Sequence, residues 1–310
     1  MINVKREAVS IESTYGTPCA VLAVVVLYNR PFKAVPAAPV LKKWLASLEA
    51  KSTGLKLARC VIYDNSPVAQ SFDAETLYER MDVFHNPLNG GTKAAYLHAL
   101  SIAKEKGFPW ILFLDHDTHL PENFFRAADQ ALSLVAETEK VCAVVPHVFD
   151  AEYPISPSRI TNYGRGYTQQ AVWNSVREKT TLTAIASASL ICTDALASVL
   201  PIPDALVLDH LDHWLFREIQ RNGERIAVSS ARIQHSLSVQ SMDTIGVNRY
   251  RAILAAELVY LRSSPEYSFI THLSWHVLRT IKVIFSTKRR DLAWACVRAF
   301  FKIIQAEGGR

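Results

Sequence analysis

Residues 110–117 read WILFLDHD, an apolar run that stops on Asp115-His116-Asp117. Such a run, with no polar alternation and an acid at its end, predicts a strand buried on both faces of a sheet that emerges at its carboxyl end. The residues before it repeat the pattern. Ala20 to Leu27 (AVLAVVVL) is a second apolar run and is followed by Asn29, and Ala58 to Tyr63 leads into the turn residues Asp64-Asn65-Ser66-Pro67. Val83 to His85 predicts a short strand, and Asn86 to Gly91 a loop. Between these strands, helical spacing runs from about Pro39 to Ala50, with Leu41, Trp44, Leu45 and Leu48 on one face, and again from about Thr92 to Lys106. This βαβ alternation predicts an α/β fold with a parallel sheet covered by helices. Ligands of open α/β sheets bind at the carboxyl ends of the strands. Asn29, Asp64, Asn86 and Asp115 gather there in succession.

After about residue 150 the pattern is less regular. Ala151 to Gly166 reads as a long loop, Thr181 to Ile191 as a strand, and Asp209 to Asn222 as a helix closed by Gly223. Arg225 to His235 predicts one or two short strands. From about residue 245 the chain reads as helical, with Lys288-Arg289-Arg290 between two apolar segments, Tyr267 to Phe285 and Leu292 to Ile304. The expected division is a sheet domain over 18–240 and a helical extension over 241–310.

Bulk composition narrows the function classes. The 310 residues are 49% hydrophobic and 20% charged, which describes a globular chain with a sizeable core. A formal charge of +5 suits an anionic ligand or a membrane surface. No zinc-finger, RNP or helix-turn-helix signature supports nucleic-acid binding, so none is expected. Cys19, Cys60, Cys142, Cys192 and Cys296 are scattered singly among apolar residues, the pattern of buried free thiols in a reducing compartment. The first residues (MINVKREAVSIESTYGTP) hold no apolar h-region, and no apolar stretch approaches the roughly 20 residues that span a bilayer. The expected location is the cytoplasm, including the inner face of the cell membrane, where the basic, aromatic C-terminal helices could lie on anionic lipid.

The chemistry centres on Asp115 and Asp117. Carboxylates two residues apart in a strand-end turn can converge on a hard divalent cation, Mg²⁺ or Mn²⁺. Such a cation would stabilise a diphosphate as a leaving group. A bare DxD is also a common solvated turn, and the buried strand before it favours the metal reading.

Taken in order, VVVLYN, VIYDNSP, HNPLNGGTKAAYLHAL, WILFLDHDT, LDHLDHWLFREIQRNG and IQHSLS resemble family 2 glycosyltransferases of the GT-A fold, especially a rhamnosyltransferase-like branch. The resemblance spans about residues 20–262. It implies a mixed sheet flanked by helices and an inverting transfer of a sugar, rhamnose first, from a dTDP- or UDP-sugar donor to a growing bacterial surface glycan or lipid-linked glycan. It implies that Asp64 reads the pyrimidine base, although an Asx turn is the other reading of that residue. Asn29, Asn65, the Asn89-Gly90-Gly91 loop, Asp115 and His116 would form the nucleotide pocket, with the glycines allowing close backbone approach and the helix N-terminus favouring negative charge. Asp115 and Asp117 match the metal-binding acids, and His235 matches a histidine that completes the metal shell or touches the diphosphate.

The catalytic base falls within Asp209-His210-Leu211-Asp212-His213-Trp214. A helix beginning at Asp209 would project Asp209 and Asp212 to one side. The segment departs from the family pattern: Trp214 stands at the Glu-like position and Arg217 follows Asp212 by five residues rather than six. Asp212 is the preferred base, with Asp209 as the alternative. Ser187-Ala188-Ser189 resembles the small-residue segment beside the acceptor, where a Gly is more usual at the centre. Arg249 and Arg251 resemble a basic stretch that would reach the diphosphate or a lipid-linked acceptor. A nucleotidyltransferase would carry a Gly-rich basic loop after the first strand, where this chain has Tyr28-Asn29-Arg30-Pro31. A non-catalytic nucleotide-sugar or glycan-binding protein is the alternative that the irregular base segment leaves open.

Overall fold

The computed structural model describes residues 18–46, 54–72, 79–134, 140–160, 166–167, 182–234, 244–265, 267–287 and 289–308. The first half follows the expected alternation: β1 (Cys19–Leu27), α1 (Ala38–Ala46), β2 (Leu55–Asp64), β3 (Met81–His85), α2 (Gly91–Lys106), β4 (Trp110–Asp115) and α3 (Phe124–Ser133). Residues 47–50, at the end of the expected first helix, lie outside the described residues. β1 is central and parallel to β2 and β4, and β3 extends the parallel set beyond β2. Residues 21–27 are all buried, because successive side chains enter opposite cores. Leu22, Val24 and Val26 pack with Tyr96 and Ala99 of α2, whereas Val21, Val25 and Leu27 pack with Leu41 of α1 and Phe124 of α3. Each buried Val or Leu contributes roughly 1.5–3 kcal/mol, so the apolar run is the keel of the sheet.

The register sets the strands level. Leu27 lies beside Asp64 and Val26 beside Asp115, so the ends of β1, β2 and β4 open onto one rim.

The second half departs from the sequence reading in several places. β5 (Val141–Asp150) is a full strand that the upstream alternation does not mark. The stretch read as a long loop contains β6 (Tyr153–Ser156) and β7 (Ser158–Ile160), followed by β8 (Gly166–Tyr167), while 161–165 lie outside the described residues. The expected strand over 181–191 is two short strands, β9 (Leu182–Thr183) and β10 (Ser189–Cys192), parted by a turn in which Ala188 takes φ +62°. β10 runs antiparallel to both β4 and β5, so the sheet is mixed. After the short α4 (Thr193–Ser198), α5 covers Leu211–Arg221 and starts later than predicted, because His210 at φ +57° breaks the backbone just before it. β11 (Arg225–Gln234) is one strand, parallel to β5. The main sheet order is β11-β5-β10-β4-β1-β2-β3, with β6 beside β5, and β8-β7-β9 form a second, small sheet.

The expected helical extension is present as α6 (Val247–Arg262), α7 (Phe269–Ser286) and α8 (Arg290–Gly308). These enclose their own cluster of Ile245, Tyr250, Leu254, Val283, Leu292 and Cys296. α6 also joins the core beside the sheet through Ala256, Tyr260 and Leu261. Buried Arg217 of α5 donates to the Tyr260 carbonyl at 3.0 Å, and its guanidinium lies 4.5 Å from the Tyr260 ring centroid. The arginine expected near the base therefore fastens α6 to α5.

Candidate active site

The rim made by β1, β2 and β4 carries the residues expected to bind the donor. Asn29, just past β1, takes φ +50° and donates its N–H to Ser66 Oγ at 2.8 Å. Asn tolerates this left-handed conformation better than most residues. Asp64, fully buried at the end of β2, accepts the N–H of Ser66 at 3.0 Å and that of Gln70 at 2.8 Å. Both of its oxygens thus hold their own turn, the Asx role that the sequence left as the second reading. Asn65 donates its Nδ2 to the Gly91 carbonyl at 3.1 Å, and its buried Oδ1 has no hydrogen-bond partner. A buried amide oxygen without a donor costs about 1–3 kcal/mol, so it marks a place where a ligand donor would be favourable.

The glycine loop serves a different neighbour from the one expected. Gly91, at φ +65°, sits where a Cβ would meet the Val207 carbonyl oxygen at 2.5 Å. That carbonyl accepts the Lys93 N–H at 3.0 Å, and Lys93 Nζ reaches Asp204 at 3.0 Å. The close approach that glycine permits is to the chain segment before α5, which caps the N-terminus of α2. A Cβ on Gly90 would meet that of Ala94 at 2.5 Å, and exposed Asn89 takes φ +48° in the turn leading in. The loop therefore ties the donor rim to α5.

Asp115, His116 and Asp117 are all half-buried at the end of β4. Asp115 donates its N–H to Ser187 Oγ at 3.0 Å, and Arg30 reaches across from the β1 loop to the His116 carbonyl at 3.3 Å. His235 lies outside the described residues. The strand preceding it does reach the same loop, since His119 donates its N–H to the Gln234 carbonyl at 3.3 Å. Among the described residues no group of three or more His, Cys, Asp or Glu could hold a metal. Two carboxylates in one turn nevertheless fit a Mg²⁺-like ion, which takes one or two protein carboxylates and fills its shell with phosphate oxygens and water. The donor set suits a cation that arrives with a diphosphate.

Asp212, in the first turn of α5, is held on the other side of the same turn. Its Oδ2 accepts the Ala186 N–H at 3.0 Å, one residue from the Ser187 that contacts Asp115. Ala188 donates its N–H to the Phe113 carbonyl at 2.7 Å, pinning the turn to β4. Its left-handed φ is a conformation that glycine adopts without strain. Burial pushes the Asp212 carboxyl up to about 7, the Ala186 bond opposes this, and the charges of Asp115 and Asp209 add to it. Burial also pushes the hydroxyl of Tyr96 well above its usual value, with Asp212 and Asp115 contributing, so the middle of α2 faces both acids.

Asp209 has a different environment. It precedes the helix, and both its oxygens are gripped by the guanidinium of Arg249 from α6, one of them at 2.8 Å. The Asp209–Asp212 pair therefore does not project from one helical face as expected, and Arg249 is engaged by Asp209. Nearby, His213 Nδ1 lies 2.6 Å from Thr183 Oγ1, and burial drives this imidazole down to about 4, so it is neutral at ordinary pH. Neither Tyr96 nor the His213–Thr183 contact has a signal in the sequence. A tyrosine within the helical run AAYLHAL reads as core, and residues 30 apart pair only through the fold.

The model of "Glycosyl transferase family 2" matches residues 23–197, more than half of the chain. No curated protein matches the chain significantly. Among solved structures, S. aureus TarS 1-349 in complex with UDP-GlcNAc superposes with a TM-score of 0.52 at 12% identity, over 93% of this chain and 81% of that one. Another crystal structure of S. aureus TarS 1-349 gives 0.47 at 11% identity, over 94% of this chain and 92% of that one. The longer TarS structure gives 0.45 at 12% identity over 86% of this chain, which spans 44% of that chain. The superposition with the UDP-GlcNAc complex shows a shared GT-A-like fold.

Proposed function

Because the chain belongs to glycosyl transferase family 2, we propose that it transfers a sugar, with inversion, from a dTDP- or UDP-sugar to a hydroxyl of a growing glycan. The observation that carries this reading is the placing of Asp212. Its carboxyl sits across one turn from Asp115, is held by the Ala186 N–H at 3.0 Å, and is raised to about 7 by burial. A general base works best when its pKa lies near the working pH. Asp209 has both oxygens engaged by the Arg249 guanidinium.

In the proposed reaction Asp212 takes the proton of the acceptor hydroxyl as its oxygen bonds to the anomeric carbon. The bond from that carbon to the diphosphate breaks, and the nucleoside diphosphate leaves with the electron pair. A single displacement without an enzyme nucleophile inverts the anomeric centre. The nucleotide lies against the corner formed by Asn29, Asp64 and Asn65, where Asp64 fixes the turn and Asn65 Oδ1 offers an acceptor. A divalent cation held by Asp115 and Asp117 would neutralise charge on the departing diphosphate. His213, neutral and bonded to Thr183, adds no positive charge beside Asp212 that would weaken it as a base.

Rhamnose, which rests on the resemblance to the rhamnosyltransferase-like branch alone, is one sugar to test. UDP-GlcNAc is the other, because the TarS fragment was solved with it. A thermal-shift screen of nucleotide sugars with and without Mn²⁺ tests the reading, since a true donor stabilises the protein by mass action. The expected result is a shift with one dTDP- or UDP-sugar that grows with Mn²⁺. No shift with any nucleotide sugar would contradict it.

A further inference from the structure

α7 is amphipathic the wrong way round for a helix that faces water. Its inner face buries His272, His276 and Val283, with His276 Nε2 donating to the Cys296 carbonyl at 2.8 Å and Arg279 gripping the buried Glu257 of α6. Its outer face carries Ile270, Leu278, Ile281, Ile284 and Phe285, with Ile270 75% and Phe285 86% exposed. A surface helix turns its polar stripe outward, so this outer face is built to be covered. α8 continues the surface with Trp294 and Phe301, seven residues apart on one stripe and 64% and 57% exposed. Exposed apolar and aromatic side chains gathered on two helices that pack together mark a site of association.

The charges around it select the partner. Among the described residues of α7 and α8, the exposed cations are Lys282, Arg290, Arg298 and Lys302, and the exposed acid is Asp291, already paired with Arg289 at 2.6 Å. Arg298 and Lys302 follow Trp294 at helical spacing, so cations and aromatics share a stripe. The same two side chains, with Arg251 of α6, line a cavity of about 240 Å³ between α6, α7 and α8 that also carries Leu254, Leu258 and Ile303. Glu257, His272 and His276 line it too, and the Glu257 carboxylate is taken up by Arg279, so the three cations leave the recess suited to a phosphate-bearing headgroup attached to acyl chains. Among the described residues no helix is long and apolar enough to cross a membrane, so contact would be made from one side.

We propose that the outer face of α7 and α8 docks on an anionic lipid bilayer, with its aliphatic and aromatic side chains in the interface and Arg298 and Lys302 against the headgroups. Apolar burial supplies the hold, and the cations supply the preference for negative surface charge. This inference is independent of the sugar-transfer reading, and its test measures partition rather than turnover.

The experiment is co-sedimentation of the full chain with vesicles of phosphatidylcholine alone, or of phosphatidylcholine and phosphatidylglycerol in equal parts. The expected result is binding to the anionic vesicles that weakens with added salt. Arg298→Gln and Lys302→Gln should each weaken it roughly fivefold. Ile281→Glu with Phe285→Glu should abolish pelleting, while circular dichroism and melting remain those of the parent because both side chains face solvent. Failure to pellet with the anionic vesicles overturns the proposal, and so does equal binding to neutral ones. A dimer in light scattering that Ile281→Glu and Phe285→Glu convert to monomer, with no vesicle binding by the parent, assigns the face to a second copy and also overturns it.

Discussion

The two sides of the active site are built in different ways. On the donor side, the residues are held by the turns that end neighbouring parallel strands: Asp64 by Ser66 and Gln70, Asn86 by Leu88, whose N–H lies 3.1 Å from Asn86 Oδ1, and Asn29 by Ser66 Oγ at the end of β2. On the acceptor side, Asp212 comes from α5, its anchor Ala186 from the turn before β10, and the Arg249 that occupies Asp209 from α6. The first side hangs on the turns at one sheet rim; the second is assembled from α5, α6 and the turn before β10. Substitutions on the donor side should therefore act on stability and donor binding together, whereas Asp212→Asn should leave donor binding intact and act on the chemical step and on the pH dependence of stability.

The largest expected effect is at the base. Removing a general base costs about 10²–10⁴-fold in rate, so Asp212→Asn should lower kcat on that scale while calorimetry finds the donor Kd unchanged. Asp209→Asn should lower kcat by less than tenfold, and its main cost should be stability, since it weakens the pair with Arg249; melting curves would show this. If the two variants are equally inactive, the distinction between free and clamped acid fails.

Next in size is the metal. Asp117→Ala should remove the Mn²⁺ dependence of donor binding in the thermal-shift assay. A variant that still binds donor with unchanged Mn²⁺ dependence would dissolve the assignment of Asp115 and Asp117.

The raised carboxyl of Asp212 predicts two pH effects. The base works when deprotonated, so kcat/KM should rise with pH and level off above about 7. Stability runs the other way. The folded protein holds this proton up to about 7, whereas the unfolded chain releases it in the ordinary carboxylate range, so Asp212 costs stability progressively as pH rises between the two. Asp212→Asn should therefore melt above the parent at pH 8 and close to it at pH 4. A melting difference independent of pH would remove burial as the cause.

On the donor side, Asp64→Ala should cost about 1–3 kcal/mol in denaturant unfolding, because it leaves the N–H groups of Ser66 and Gln70 without acceptors. Donor affinity should fall with it. Full stability with lost affinity would return Asp64 to a purely ligand-facing role. The smallest effect is at Ala188, where glycine should change stability by less than about 1 kcal/mol, relief of the left-handed backbone offsetting the lost methyl group. Ala188→Val, β-branched at that φ, should be clearly destabilising.

What the sequence revealed follows the same division. The apolar runs of β1 and β4 and the acids and amides that end the strands are local patterns, and they placed the rim correctly. β5 was not read from the sequence, although its run CAVV is as apolar as the others and α3 precedes it; the run is short and breaks at Pro146, in the middle of the strand. The helix start at Leu211 rather than Asp209 depends on His210 adopting φ +57°, a conformation uncommon for any non-glycine residue even though histidine is enriched there. The glycine loop was recognised as a place of close approach, but its partner, Val207, lies more than a hundred residues away. The contacts of Arg249 with Asp209 and of Asp212 with Ala186 exist only once the sheet, α5 and α6 have packed. The outward apolar face of α7 was legible as basic and aromatic composition, and its direction became visible only when His272 and His276 were found inside.

The central claim is that Asp212 activates the acceptor. Its most direct test is acceptor-dependent release of nucleoside diphosphate by the parent and by Asp212→Asn, using the donor found in the thermal-shift screen and at saturating Mn²⁺. The account predicts a loss of about 10²–10⁴-fold with donor affinity intact. Release at the parental rate by Asp212→Asn would contradict it.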